Sequence, residues 1–145
     1  MENGYTLYNI YNLKKMNMET KEVTNERLIL VYNSLAYLVS KEIKAWYVVG
    51  KNMKNIQEAV QSFESKRKSL LDKYAIKQEN GDYKLTEDNR SIDFGGKDEV
   101  VKKEFVDLAK ETVSIKVDEI PVENLMEENL EGAKVDPLFG VILKE

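Results

Sequence analysis

The chain has 145 residues, a formal net charge of −4 and neither histidine nor cysteine. This length predicts a single domain over residues 1–145, and the missing residue types exclude disulfides, zinc-thiolate sites and the standard catalytic triads. We therefore expect no enzymatic activity, no metal and no cofactor. The acidic balance argues against direct nucleic-acid binding. Without a membrane-length apolar run or a secretory signal, the sequence predicts a cytoplasmic protein with no membrane contact.

Residues 1–23 are expected to form a tyrosine-rich N-terminal strand or extension. Residues 5–13 are rich in strand-forming side chains, whereas the polar stretch 14–22 predicts a loop or a ragged edge strand. Tyr5, Tyr8 and Tyr11 are candidate partner-binding residues, because tyrosine offers a large contact area at low entropic cost. Packing of these rings between a small sheet and the helices is an equally good interpretation.

Residues 24–77 predict a helical hairpin with one short and one long helix. Thr24 and Asn25 are candidate N-caps for a helix whose apolar positions recur three and four apart, at Leu28, Val31, Leu35 and Leu38. Continuing this register would place Glu42 on the apolar face, so we expect a turn over residues 40–44. The second helix should end near residues 74–77. It carries a longer stripe, which is either internal core or an oligomer seam: Trp46, Val49, Met53, Ile56, Val60, Phe63, Arg67, Leu70 and Tyr74.

Residues 78–145 predict a mixed region of helix and strand. The sequence Glu-Asn-Gly-Asp at 79–82 is a strong turn signal, followed by a short strand over 82–86 and a mobile loop over 89–97. A third helix is expected from residue 97 or 98 to Lys110, and the alternation of residues 112–117 predicts a strand. A helical turn over 122–130 and a tail able to form strand or helix follow. The predicted fold class is α+β: an antiparallel helical hairpin with one long helix, a third helix and a small antiparallel sheet.

The C-terminal part of the chain is strongly acidic. From residue 111 onward nine acidic and three basic residues give a net charge of −6, whereas the first 110 residues carry a net charge of +2. A row of carboxylates can imitate phosphates toward a protein that normally binds nucleic acid. The candidate partner-binding residues are therefore Glu119, Glu123, Glu127, Glu128 and Glu131. A solvated acidic face that aids solubility is the competing interpretation.

Several short motifs follow one another along the chain from residue 24 onward. They are LLDKY at 70–74, ENG at 79–81, VSIKV at 113–117, IPVENL at 120–125 and DPLF at 136–139. In this order, residues 24–145 resemble a family of small proteins encoded by phages and prophages of low-GC Gram-positive bacteria, a domain of unknown function. No catalytic residues are assigned in that family, so the resemblance implies none here.

The resemblance and the acidic segment lead to two functional hypotheses. The first is a small phage-derived protein-binding module that inhibits a host immune effector in the manner of an anti-CRISPR protein, by occluding a nucleic-acid-guided nuclease. The second is a virion structural or assembly accessory protein, of the tail, baseplate or chaperone-like kind, that acts as an oligomer. Both imply a larger host or phage protein as partner in the cytoplasm of the host bacterial cell. Under the first hypothesis the chain itself is a monomer or a homodimer.

Overall fold

The computed structural model describes residues 18–125 and 128–144. It confirms the α+β class, with one long helix, a third helix and a small antiparallel sheet. The chain divides into two compact units, the first formed by residues up to Val60 and from Thr112 onward, the second by residues 61–111. The candidate residues Tyr5, Tyr8, Tyr11 and Glu127 lie outside the described residues.

Two antiparallel strands belong to the first unit. β1 (Met18–Thr24) and β2 (Thr112–Asp118) are paired along their whole length. β2 is the strand predicted from the alternation of residues 112–117, and it forms because Ile115 and Val117 point to the same side and are buried there. β1 begins in the stretch predicted as a loop or edge strand, and it continues through the buried side chain of Val23.

The first helix, α1 (Asn25–Ser40), has both the predicted N-cap and the predicted buried stripe. The Thr24 hydroxyl oxygen accepts a hydrogen bond of 3.1 Å from the Arg27 amide, which satisfies a donor that the first helical turn leaves unpaired. The Arg27 guanidinium also donates to the carbonyls of Pro137 and Phe139 at 2.9 Å each. The stripe is completely shielded from solvent at Leu28, Val31, Leu35 and Leu38.

The turn predicted over residues 40–44 separates α1 from the long helix α2 (Trp46–Tyr74). Glu42 adopts a positive φ of 53° there, which interrupts the helix without a glycine. The long stripe is fully buried at Val49 and Ile56, whereas Trp46 at its start is 61% exposed. A helical side chain points toward the N-terminus of its helix, so at the first helical position it extends past the helix end. Among the described residues no helix, α2 included, is long and apolar enough to cross a membrane.

Short elements complete the first unit. β3 (Ile120–Pro121) pairs in parallel with β4 (Leu143–Lys144). Between them lie a 3₁₀ turn at Val122–Asn124, the short helix α4 (Gly132–Val135) and a second 3₁₀ turn at Asp136–Leu138. Of the helical turn predicted over residues 122–130, the described residues show a 3₁₀ turn at Val122–Asn124. The tail contains strand as well as helix.

One hydrophobic core joins the elements of the first unit. The elements closest to α1 are β1, α4 and the 3₁₀ turn at Asp136–Leu138. The fully buried core residues come from α1, the turn after it, α2, β2, β3 and the tail. They include Leu28, Leu35, Leu38, Ile43, Val49, Ile56, Val117, Ile120, Leu138 and Ile142. The apolar tail is thus part of this core.

The second unit contains residues 61–74 of α2 and the helix α3 (Asp98–Lys110). The bounds of α3 agree with the prediction, and its apolar residues Val101 and Leu108 are buried as expected from their spacing. Asp98 and Glu99 lie in its first turn, where their negative charges interact favourably with the helix dipole and stabilise the helix.

Residues 75–97 of the second unit are held by isolated bridges and turns. The predicted turn is confirmed, because the Asn80 side chain accepts a hydrogen bond of 3.0 Å from the Asp82 amide and Gly81 adopts a φ of 90°. The strand predicted over residues 82–86 is reduced to single bridges at Tyr83 and Leu85. Residues 89–97, predicted as a mobile loop, are tied back by the Asp93 amide, which donates to the Lys84 carbonyl at 2.8 Å.

Candidate functional site

The predicted acidic residues are distributed over different parts of the first unit. Glu119 lies beside β1, with its carboxylate 3.5 Å from the Lys21 ammonium, and Glu19 lies 3.1 Å from the same ammonium. Hydrogen bonds with Glu119, and then with Lys21, hold the pKa of Glu19 below its usual value. Glu19 in turn raises the pKa of Lys21. Glu119 is therefore engaged in an ion cluster at the sheet, while Glu123 is exposed on the 3₁₀ turn at Val122–Asn124.

Glu128 and Glu131 are attached to the end of α1 and to the turn that follows it. The Glu128 carboxylate accepts a hydrogen bond of 3.3 Å from the Lys44 amide. The Glu131 amide donates a hydrogen bond of 2.9 Å to the Tyr37 phenolic oxygen. These two contacts bring the last part of the acidic segment next to the turn between α1 and α2, although 84 and 94 residues separate the partners in sequence.

The Tyr37 ring organises the basic side chains around this attachment. The ammonium groups of Lys41 and Lys134 each lie 5.3 Å from the ring centroid, a distance at which the ring quadrupole attracts a cation. Lys134 also lies 3.8 Å from the Glu131 carboxylate. The ring therefore fixes the position of Glu131 through its hydroxyl and that of two lysines through its faces.

Apolar side chains are exposed on either side of the same turn. Trp46 is 61% exposed and Val39 is 49% exposed. Trp46 makes an edge-on contact with the Tyr47 ring, with centroids 5.7 Å apart and planes at 86°, which orients the indole from one side. We define the turn surface as Val39, Glu42, Trp46, Glu128 and Glu131. It combines a large aromatic side chain with carboxylates on a turn that hydrogen bonds hold in place.

The turn surface contains one residue of the long stripe, which the sequence predicts to be either internal core or an oligomer seam. Trp46 fits the three-and-four spacing of the long stripe, so periodicity alone assigns it to the buried face. The signal against that assignment is its position directly after the predicted turn, where a helix has no preceding turn to shield it. Of the predicted acidic residues, Glu128 and Glu131 belong to this surface.

A buried polar cluster in the first unit was also missed. The Asp118 carboxylate is completely buried, with one oxygen 2.7 Å from the Lys51 ammonium. Asn52 is completely buried as well: its side-chain nitrogen donates to the Asp118 carbonyl at 3.0 Å, and its side-chain oxygen accepts from the Asp118 amide at 2.8 Å. The cluster fastens the end of β2 to α2, and its burial separates Asp118 from the acidic residues that can reach a partner.

The turn surface offers side chains for non-covalent binding: an indole that a partner can bury and carboxylates that can pair with cationic groups. Within residues 18–125 and 128–144, no group of three or more acidic side chains is arranged to hold a metal ion. No protein-family model, curated protein or solved structure matches the chain.

Proposed function

We propose that this chain is a small protein-binding module that docks its turn surface onto a larger protein. The observation that carries the proposal is the exposure of Trp46, at 61%, next to a turn to which the Glu128 carboxylate and the Glu131 backbone amide are hydrogen-bonded. Tryptophan is enriched among the few residues that dominate binding energy at protein interfaces. An indole in water lacks the transfer free energy that its burial would provide. Burial of Trp46 in an interface with a partner would gain that free energy.

The charge of this surface indicates the class of partner. Carboxylates near an apolar anchor fit a basic surface, and proteins that bind nucleic acid carry such surfaces for the phosphates. We therefore propose a nucleic-acid-guided nuclease of host defence as the partner, inhibited by occlusion of its nucleic-acid groove. The resemblance of residues 24–145 to phage-encoded proteins supports this choice, and it implies that the complex forms in the host cytoplasm.

The proposal is tested by measuring DNA cleavage by purified RNA-guided nucleases from low-GC Gram-positive hosts, with and without the chain. Trp46→Ala should weaken inhibition about 30-fold, the effect of losing about 2 kcal/mol at an interface hot spot. Leu30→Ala is the matched control, because Leu30 is an exposed apolar residue near the start of α1 and should leave inhibition unchanged.

The acidic contribution is tested with Glu128→Gln combined with Glu131→Gln. Glutamine keeps an acceptor for the Lys44 amide and leaves the Glu131 backbone contact intact, so the turn is preserved while two charges are removed. We expect slower association and a weaker dependence on salt. Equal inhibition by the wild-type chain and all variants, or none by any of them, would refute the proposal.

The alternative function, a virion accessory protein acting as an oligomer, requires the long stripe to be an intermolecular seam. Two of its members in the first unit, Val49 and Ile56, are fully buried within one chain, which favours an internal core at those positions. Light scattering after size-exclusion chromatography distinguishes the two functions. A stable ring or trimer would support the virion role, and a monomer or dimer would support occlusion.

A further inference from the structure

A groove of about 470 Å³ lies between α2 and α3 within the second unit. Leu70 and Leu108, one from each helix, provide its apolar lining, and Ser65 and Ser69 line its α2 side. The Ser69 hydroxyl donates to the Ser65 carbonyl at 3.0 Å, so it is turned toward its own helix. Because these two small side chains do not fill the space, the groove stays open, and its volume falls within the ~300–1,000 Å³ typical of ligand pockets.

Carboxylates line the α3 side of this groove. Glu104, Asp107 and Glu111 follow one another at spacings of three and four residues, which aligns them along one face. Lysines reach the two ends of the row, with Lys73 at 3.7 Å from Glu104 and Lys66 at 3.7 Å from Glu111. These ion pairs are exposed and long, so they leave the negative charge of the row only partly compensated.

Among residues 18–125 and 128–144, no lysine or arginine pairs with the middle residue of the row, Asp107. In the part of the chain that the structure describes, the Asp107 carboxylate makes no ion pair, and the Oε2 atom of Glu104 is buried without a hydrogen-bond donor. A buried carboxylate oxygen without a donor is destabilising. A cation entering the groove would instead meet the exposed carboxylate of Asp107, and the only partly compensated charge of Glu104 lies one helical turn away.

We propose that this groove binds an arginine- or lysine-bearing segment of a partner protein. The cationic head lies against Asp107 and Glu104, and its aliphatic stem lies over Leu70 and Leu108. The apolar lining favours a peptide segment over a free polyamine, because neighbouring apolar side chains of the segment can occupy the rest of the groove. The proposal does not rest on the turn surface, since every residue of the groove belongs to the second unit.

The test uses fluorescence anisotropy with the full chain and a labelled peptide of about 12 residues, in which arginines and leucines share one helical face. Asp107→Asn should weaken binding about three- to tenfold through loss of the charged contact, and Ser69→Phe should abolish it by filling the groove. Glu87→Gln and Gln61→Phe are matched controls. They make the same kind of change at exposed positions outside the groove and should bind like the wild-type chain.

Three outcomes would overturn the proposal. The first is no detectable binding of the peptide to the wild-type chain. The second is equal weakening by Asp107→Asn and Glu87→Gln, which would mean that only net charge matters. The third is undiminished binding of an analogue with its leucines replaced by serine, together with displacement by spermine at similar concentration, which would make the groove a general cation site. Circular dichroism of each variant establishes that it is folded before binding is measured.

Discussion

Replacement of Asn52 by alanine is expected to destabilise the first unit far more than the same replacement at Asn55, three residues later on the same helix. The Asn52 amide satisfies both the amide and the carbonyl of Asp118 at 2.8 and 3.0 Å, in a completely buried site. The side-chain nitrogen of Asn55 is buried without a hydrogen-bond partner among the described residues. The two variants therefore remove the same atoms, but only at Asn52 does the removal break hydrogen bonds from the side-chain nitrogen and oxygen to Asp118.

The magnitude follows from the two backbone groups that Asn52→Ala leaves behind. Each unsatisfied buried group costs about 1–3 kcal/mol, so two cost about 2–6 kcal/mol. A water molecule in the vacated space would satisfy these groups in part and reduce the loss of stability. The higher helix propensity of alanine reduces it by about 0.5 kcal/mol more. We expect a net loss of about 2–4 kcal/mol for Asn52→Ala. Asn55→Ala removes an unpaired donor, so its change should stay within about 1 kcal/mol.

The assay is urea unfolding followed by far-ultraviolet circular dichroism, because the exposed indole of Trp46 reports poorly on the core. With a urea m-value of about 2 kcal/mol/M, the midpoint for Asn52→Ala should fall by about 1–2 M. Faster amide hydrogen exchange at Asp118 should accompany it, since that amide loses its acceptor. Equal midpoints for the two variants would refute the assignment of the Asn52 side chain as the fastener of β2.

Three further predictions concern single contacts. Lys51→Met should cost about 2–4 kcal/mol in urea unfolding, because it leaves the buried Asp118 carboxylate without its ammonium, and adding Asp118→Asn should recover part of the loss. The hydrogen bond to Asp72 raises the pKa of Tyr83 above its usual 10.0, so its stabilising effect should be complete below pH 10 and disappear as pH rises through the raised pKa. Titration of the tyrosine ring carbons by NMR should show this, and Asp72→Asn should lower that pKa toward 10. Thr24→Ala should cost about 1 kcal/mol through loss of the N-cap, and Thr24→Asn should restore stability.

The elements predictable from the sequence are those with a clear apolar period. The three-and-four spacing from Leu28 to Leu38 sets α1, and the alternation at Ile115 and Val117 sets β2, because in each case one face is apolar and must be buried. The start of α1 was equally predictable, since Thr24 is a favourable N-cap and its hydroxyl fills that role.

The parts that were not predictable depend on contacts between residues far apart in sequence. Asn52 lies three residues after Val49 and four before Ile56, so the spacing places it on the buried face, but it gives no partner for a polar side chain there. That partner is Asp118, 66 residues away. The same holds for Glu128, whose place at the turn depends on Lys44. The groove of the second unit has no sequence signal either, because small serines on one helix become an opening only when a second helix lies opposite.

The acidic residues form a uniform segment in the sequence but have different contacts in the structure. Their roles in binding therefore have to be tested by separate substitutions. Reversing every charge in it would mix two effects: at Asp118 the change disrupts a buried ion pair, and at Glu119 it disrupts the cluster with Lys21. A loss of binding after such a change would report unfolding as readily as contact with a partner. Glu128 and Glu131 can be neutralised to glutamine with their hydrogen bonds retained. At these two positions the structure separates the charge a partner would meet from the contacts that keep the turn in place.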